Sequence, residues 1–410
     1  MNSNAVSATI DEKTKSIWRS VPFVILLSNG LLLSIGNKIY ELVLPLMMYE
    51  VTHSSVAMGT MRTAELLPNL LFAILIGVIV DRMNKKLWAL SMIGIQAVLL
   101  MAMSLLAMAH IHFVWVYYGL GFMLMTFNYG YFNTQVSLIK LSVPACQLTS
   151  ANAKFSFIES MIGIMGPVFT GLLFLLARFS DGILIASFMY LISFFLIRML
   201  NIIEPVHGKS DFSMLDELKE GWTAFRKNSI LYKTTMVTIL LNSSFVVVST
   251  TVIYFAKDHL HLDNSLLAIL FSCAGIGGLA SSLVANKFRS MFGLGKVLGI
   301  SAIINGVSYF MMFLADSGAL LAAALLIHGF ATALNSVSVY TIRHEQTPTH
   351  LIGRITGITG TLFRVGMPFT MFASGFVIAW QGAPVVFISA AILNGVVFLS
   401  FLKSSLWGLE

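Results

Sequence analysis

Charge is what this sequence has least of. Only 10% of its 410 residues are Asp, Glu, Lys or Arg, while 57% are hydrophobic. A soluble domain carries about 25% charged residues. Together with a mean hydropathy of +0.86, this excludes a water-soluble globule and places most of the mass in a bilayer. Cysteine is nearly absent as well. Cys146 and Cys273 are the whole supply, which excludes a disulfide framework. No CxxC, HExxH or Walker-type GxxxxGK[ST] run occurs. No metal site, no cofactor and no ATP-driven step by this chain alone is therefore expected. No His/Asp/Cys cluster has the spacing of a catalytic centre, so the chain does not read as an enzyme. Residues 1–19 are polar and precede no short signal core, so the first apolar segment is expected to persist as a helix.

The apolar residues that are present fall into long runs. A helix needs about 20 apolar residues to cross the hydrocarbon, and about twelve segments qualify. They cover 20–48, 56–80, 87–109, 113–139, 152–177, 182–203, 230–256, 264–285, 295–315, 318–341, 353–380 and 383–403. The expected fold is an all-α membrane protein. The 31 Phe and 23 Met fit helices packed in lipid and suggest no cofactor box.

Basic residues set the orientation. With the N-terminus inside, only Arg178 and Lys257 fall in outer segments, and Lys38, Arg62, Arg198 and Arg364 lie within spans. The rest of the 25 Lys and Arg lie on the inner side. This asymmetry predicts both termini in the cytoplasm. It also accounts for the net charge of +7 without a nucleic-acid partner.

The longest polar stretch, residues 204–229, separates a half over 20–203 from a half over 230–403. The tails are 1–19 and 404–410. Within the linker, Ser213 and Asp216 resemble a capping box. Phe212, Leu215, Leu218, Trp222 and Phe225 share a helical face, which predicts an amphipathic helix on the inner membrane surface. The two halves repeat weakly: VIVDRMNKK (78–86) aligns with LVANKFRSM (283–291). Six plus six helices in repeated halves is an architecture of secondary transporters.

The inner loop after the second span reads GVIVDRMNKK. It resembles the loop motif of the major facilitator superfamily, Gly-x-x-x-Asp-Arg-x-Gly-Arg/Lys-Arg/Lys. Gly77, Asp81, Arg82, Lys85 and Lys86 match, and Asn84 replaces the usual Gly, a residue that also tolerates left-handed backbone. GIMGPVFTG, with Gly163, Gly166, Pro167 and Gly171, resembles the fifth-helix motif of the antiporter branches, with Thr170 where Gly is common. LTSANAKFSFIESMIGIMGP and HLIGRITGITGTLFRVGMP resemble the macrolide-efflux and siderophore-export branch of drug:proton antiporters. The resemblance spans the chain. It implies a cell-membrane exporter and a gate in which Asp81 meets the start of the eleventh helix near Gly353. Physically, Asp81 can accept from free N–H groups at a helix N-terminus, Gly77 allows close helix approach, and Lys85 and Lys86 also serve topology.

Ionisable groups inside the bilayer are costly and usually functional. Lys38 and Glu41 lie three apart in the first span, and Arg62 and Glu65 three apart in the second. Reflection through the loop near Thr52 matches Lys38 with Glu65 and Glu41 with Arg62, which predicts two cross-helix ion pairs or one network. The arrangement is expected to line the cavity, either as a static ladder or with Glu65, then Glu41, as the proton carrier. Glu159 in the fifth span is a further candidate. Arg364, about 16 Å into the eleventh span, is expected to bind an anionic substrate, pair with Glu159, or snorkel. His328 reads as a packing residue with a titratable ring. His259 and His261, with Asp258 and Asp263, read as a solvated outer loop. The helix-4 residues Tyr117, Tyr118, Phe127, Tyr129 and Tyr131, with Met123 and Met125, are either packing or an adaptable pocket.

The expected function is proton-coupled export of an amphipathic small molecule by alternating access, as a monomer in the bilayer. Uptake by proton symport uses the same fold and is the alternative.

Overall fold

The structure is a computed structural model that describes residues 17–111, 113–144, 147–173, 178–202, 204, 214–348 and 351–409. Fourteen helices follow one another among these residues. In the first half they are α1 (Val21–Thr52), α2 (Ser55–Arg82), α3 (Lys85–Met108), α4 (Val114–Ser142), α5 (Leu148–Leu173) and α6 (Phe179–Arg198). Then come α7 (Met214–Lys227), α8 (Ser229–Tyr254), α9 (Asn264–Phe292), α10 (Leu294–Phe313), α11 (Gly318–Glu345), α12 (Ile352–Leu362), α13 (Gly366–Gln381) and α14 (Ala383–Leu402). Nine helical stretches among the described residues are long and apolar enough to cross a membrane, α12 and α13 counting as one. Helices α2, α4 and α5, at 28, 29 and 26 residues, pack among them. The chain is a multi-pass helical membrane protein.

Short polar residues start several helices. Ser20, Ser54, Asn84, Asn228 and Asp263 each accept from the backbone N–H three residues on, as N-caps do. Helices α1 and α4 exceed their apolar cores by several residues, because backbone hydrogen bonding continues past the hydrocarbon-length run. The α1–α2 connection is only His53 and Ser54, with His53 in the left-handed region at φ 50°.

The span expected over 353–380 is interrupted at Phe363–Val365. Pro368 has no N–H to give the Arg364 carbonyl. Met367 N donates to that carbonyl instead at 3.2 Å, and Arg364 N and Val365 N also bond three residues back. Asn242 Nδ2 on α8 takes the Phe363 carbonyl at 3.1 Å.

Helix α7 does not rest on lipid alone. Phe225 is fully buried with Leu231, Leu351 and Ile355, and Glu220 pairs with Arg354 at 2.5 Å. A Cβ at Gly221 would lie 3.1 Å from both Arg354 and Ile358, so α7 docks on α12. The proposed capping residues Ser213 and Asp216, and the apolar Phe212, Leu215 and Leu218, fall outside the described residues and side chains.

Within the second half, α9 and α11 meet through glycines. A Cβ on Gly329 would sit 1.8 Å from the Ala274 carbonyl oxygen, and one on Gly277 would sit 1.9 Å from that of Leu326. Backbone cannot yield as a side chain tip can. Gly329→Ala is expected to force the helices apart and cost about 1–3 kcal/mol, read as a lowered midpoint in detergent thermal unfolding. An unchanged midpoint would refute the contact.

Two seams join the halves. Helix α5 meets α9 where a Cβ on Gly275 would clash with Val168 at 2.3 Å. Helix α2 packs along α13 but barely touches α12. The seam is therefore tight at the end of the α1–α2 hairpin. There Ser55 Oγ donates to the Gly375 carbonyl at 3.0 Å, Gly59 faces the Met371 carbonyl, and Thr63 Oγ1 donates to that of Pro368 at 3.4 Å. Lys257 also pairs with Glu50, Tyr49 OH donates to Asp258 at 3.4 Å, and Leu46, Tyr49 and Met58 join the apolar core of the second half. Toward the opposite, base-rich end, α2 and α12 make little contact among the described residues.

Candidate functional site

The site grows from the α1–α2 hairpin. Helical spacing puts Lys38 and Glu41 on one face of α1, and Arg62 and Glu65 on one face of α2. The tight hairpin holds these faces together. Lys38 Nζ meets Glu41 Oε2 at 2.8 Å, Arg62 Nη2 pairs with Glu41 Oε1, and Arg62 Nη1 reaches Glu65 Oε2 at 2.9 Å. Arg62 Nη1 also donates to the Glu41 backbone carbonyl at 3.2 Å.

Of the two cross-helix pairs, Glu41–Arg62 is present and Lys38–Glu65 is not; the four charges form the single network expected as the alternative. Lys38 turns along its own helix to Glu41, and Arg62 takes both carboxylates. Guanidinium presents several donors in a fixed fork, whereas an ammonium is a point charge. Arg62 is thus the better bridge, and the result is one chain of charges, Lys38–Glu41–Arg62–Glu65.

Exposure falls along this chain. The side chains of Lys38, Glu41, Arg62 and Glu65 are 40%, 23%, 12% and 0% exposed. Glu65 Oε1 has no hydrogen-bond partner among the described residues. One oxygen of a fully buried carboxyl is thus held by Arg62 while the other is free. A proton added to Oε1 would leave the Arg62 contact in place.

Arg364, on the three-residue turn between α12 and α13, is exposed. It makes no ion pair with a described residue. The Glu159 side chain falls outside the described side chains, so the expected pair with Arg364 stays a proposal. Gly166 on α5 lies beside Lys38: a Cβ there would meet Lys38 Cδ at 3.9 Å. The placements of Gly163, Pro167 and Gly171 within their helix fall outside the description.

The loop motif joins α2 to α3. Asn84 is not left-handed: at φ −61° and ψ 119° it is extended, and its side chain caps α3 by accepting from Leu87 N. This is a different use of Asn from the one expected. Lys85 is only 5% exposed, and its Nζ donates to the Val80 and Met83 carbonyls at 2.7 and 2.9 Å. It closes the C-terminal end of α2 rather than standing as a free surface anchor. Gly77 and the Asp81 side chain lie outside the description, and Arg82 and Lys86 are exposed or half-buried at the loop.

Sequence reasoning missed Glu204. Its carboxylate accepts from the backbone N–H groups of Lys85 and Lys86, both at 2.8 Å, as an anion at a helix N-terminus does. The one signal was an acid directly after a span, at a base-rich membrane edge. Glu204→Gln is expected to weaken this cap by about 1 kcal/mol. Faster amide exchange at residues 85–88 would report it, and unaltered exchange would refute it.

His328 is a packing residue: Nδ1 lies 3.0 Å from Asn305 Oδ1, and the ring stacks on Phe245. On α4, Tyr117 OH donates to the Ile111 carbonyl and Tyr118 OH to that of Ala57. Tyr131 OH accepts from Asn29 at 2.5 Å. Tyr118 and Tyr131 tie α4 to α2 and α1, and Tyr117 holds the loop before α4. His259 stacks on Phe255 at 4.8 Å.

Two helical halves that meet along α2–α13 and α5–α9, with a chain of ion pairs on the α1–α2 hairpin of the first half, have the layout of a membrane transporter. The sequence model of the Major Facilitator Superfamily matches residues 26–287 and 235–406, and the chain belongs to that superfamily. It is 24% identical over 364 residues to Macrolide efflux protein A of Streptococcus pyogenes, covering 83% of this chain and 85% of that protein. It is 26% identical over 326 residues to Macrolide efflux protein A of Enterococcus faecalis, covering 74% and 95%. Among solved structures, a D323A mutant of the nucleoside transporter NupG superposes with a TM-score of 0.73 at 15% identity, over 93% of this chain and 99% of that one. A bacterial homologue of the iron transporter ferroportin in an inward-facing state gives 0.69 at 16%, over 95% and 100%. These structures share the fold.

Proposed function

We propose that the protein is a proton-coupled exporter of amphipathic small molecules, working as a monomer in the cell membrane by alternating access. The observation that carries this reading is Glu65, a wholly buried carboxyl with one oxygen on Arg62 and the other without a partner among the described residues. A carrier needs a group that holds a proton in one conformation and gives it up in another. Glu65 has the setting for that exchange, with Glu41 and Glu159 as further acids on the path. The similarity to macrolide efflux proteins supports export over uptake. The base-rich end, where α2 and α12 make little contact among the described residues, is the cytoplasmic one in this reading, and it supports a state that loads from inside. Asp81 then latches that end against the start of α12 in the opposite state, with Arg82, Lys85 and Lys86 fixing the loop.

The test is transport by the full chain in vesicles that hold a pH dye. A panel of macrolides, lipophilic cations and catecholates is added under an imposed proton gradient. Export predicts that a substrate moves protons opposite to its own flux. Movement in the same direction would replace export with symport.

A further inference from the structure

Helices α2 and α13 run antiparallel in a regular register. Ser55 meets Gly375, Gly59 meets Met371, and Thr63 meets Pro368. Continued one turn further, this register would bring Arg364 level with Leu66, the neighbour of Glu65. Arg364 lies within the eleventh span, about 16 Å from its start at residue 353 at the helical rise.

The same face of the eleventh span continues downward through Gly360 and Gly357. An added Cβ at either would have no described atom within 4 Å. Arg364 thus lies at the α12–α13 turn, where the described contacts of α2 with the eleventh span thin out. Its side chain is exposed there.

The charges around it are already spent on each other. Glu41 is held by Lys38 and Arg62, and Glu65 by Arg62, so that group sums to zero. Arg364 is left over among the described residues, a guanidinium deep in a bilayer protein without a carboxylate. Such a group is costly there and is retained where it meets a counter-charge. Its planar fork matches a carboxylate, sulfonate or phosphate.

We propose that Arg364 is the substrate's anion-binding residue: the transported amphiphile carries a negatively charged group that docks at the α12–α13 turn. This rests on the transporter reading and narrows its substrate class. A lipophilic cation would find each carboxylate of the described network already paired with a cation and would face Arg364 itself.

The test is equilibrium binding to the purified full chain without a gradient, so it does not depend on proton coupling. The probes are fluorescent amphiphiles bearing a carboxylate, a sulfonate or a phosphate, each paired with its neutral ester, and a triphenylphosphonium of similar size. At least one anion is expected to bind tenfold or more tighter than its ester. Arg364→Gln should erase that preference while leaving ester affinity unchanged, which also certifies the fold, and Arg364→Lys should restore part of it. Tightest binding by the cation, no preference in any acid–ester pair, or a preference that survives Arg364→Gln would each overturn the proposal. So would an intact preference with equal losses of stability in Arg364→Gln and Glu159→Gln, the mark of a structural pair. Loss of proton countertransport with the anion preference intact would instead refute the export reading alone.

Discussion

Glu65→Gln is expected to abolish proton movement driven by substrate, down to the level of protein-free vesicles. Substrate exchange across the same vesicles, with no net proton flow, should persist. The argument is geometric. Gln keeps an oxygen for Arg62 Nη1, which Glu65 Oε2 meets at 2.9 Å, so the local pairing survives. It loses the group that can take a proton at Oε1, the oxygen without a partner among the described residues. A purely structural Glu65 gives a different pattern: coupling stays intact in the Gln variant, while the unfolding midpoint falls. In that case Glu41 and Glu159 become the carriers to test.

The largest stability effect is expected at Arg62. It holds Glu41 and Glu65 at once and also donates to the Glu41 backbone carbonyl. Arg62→Leu leaves Glu65, fully buried, with no cation among the described residues. Breaking a buried ion pair from one side costs about 3–5 kcal/mol, because the abandoned charge stays desolvated. Glu41 keeps Lys38 at 2.8 Å, which limits the damage to the Glu65 side. The double variant Arg62→Leu with Glu65→Leu should therefore recover a large part of the loss. Thermal unfolding in detergent measures both. A single variant that loses less than about 1 kcal/mol would show that Glu65 is relieved by water or by protonation.

Both expectations trace to residues that were legible before any coordinates. Four ionisable side chains in two long apolar runs mark a site because the bilayer penalises each one. Their three-residue spacing puts each pair on one face. What could not be read was the partner choice. Reflection through the hairpin treats Lys38 and Arg62 as equivalent cations. The structure separates them, since the fork of Arg62 spans two carboxylates and leaves Lys38 to its own helix. Lys85 makes the same point. A base at a membrane edge reads as a topology anchor, yet its stem is buried and its ammonium closes α2. Asn84 likewise reads as a substitute for Gly but works as an N-cap.

The sequence alone determined the class of molecule. A bilayer solvates neither charge nor unpaired backbone, so composition and run length require a polytopic helical protein. The loop motif GVIVDRMNKK pointed to the superfamily. Tertiary structure decided what depends on contacts between distant segments: the charge chain on the hairpin, Glu204 at the start of α3, and α7 docked on α12. It also decided which end of the bundle is closed. Whether α2 meets α13 or α12 is a matter of how two half-bundles tilt. No local pattern in the sequence selects between them.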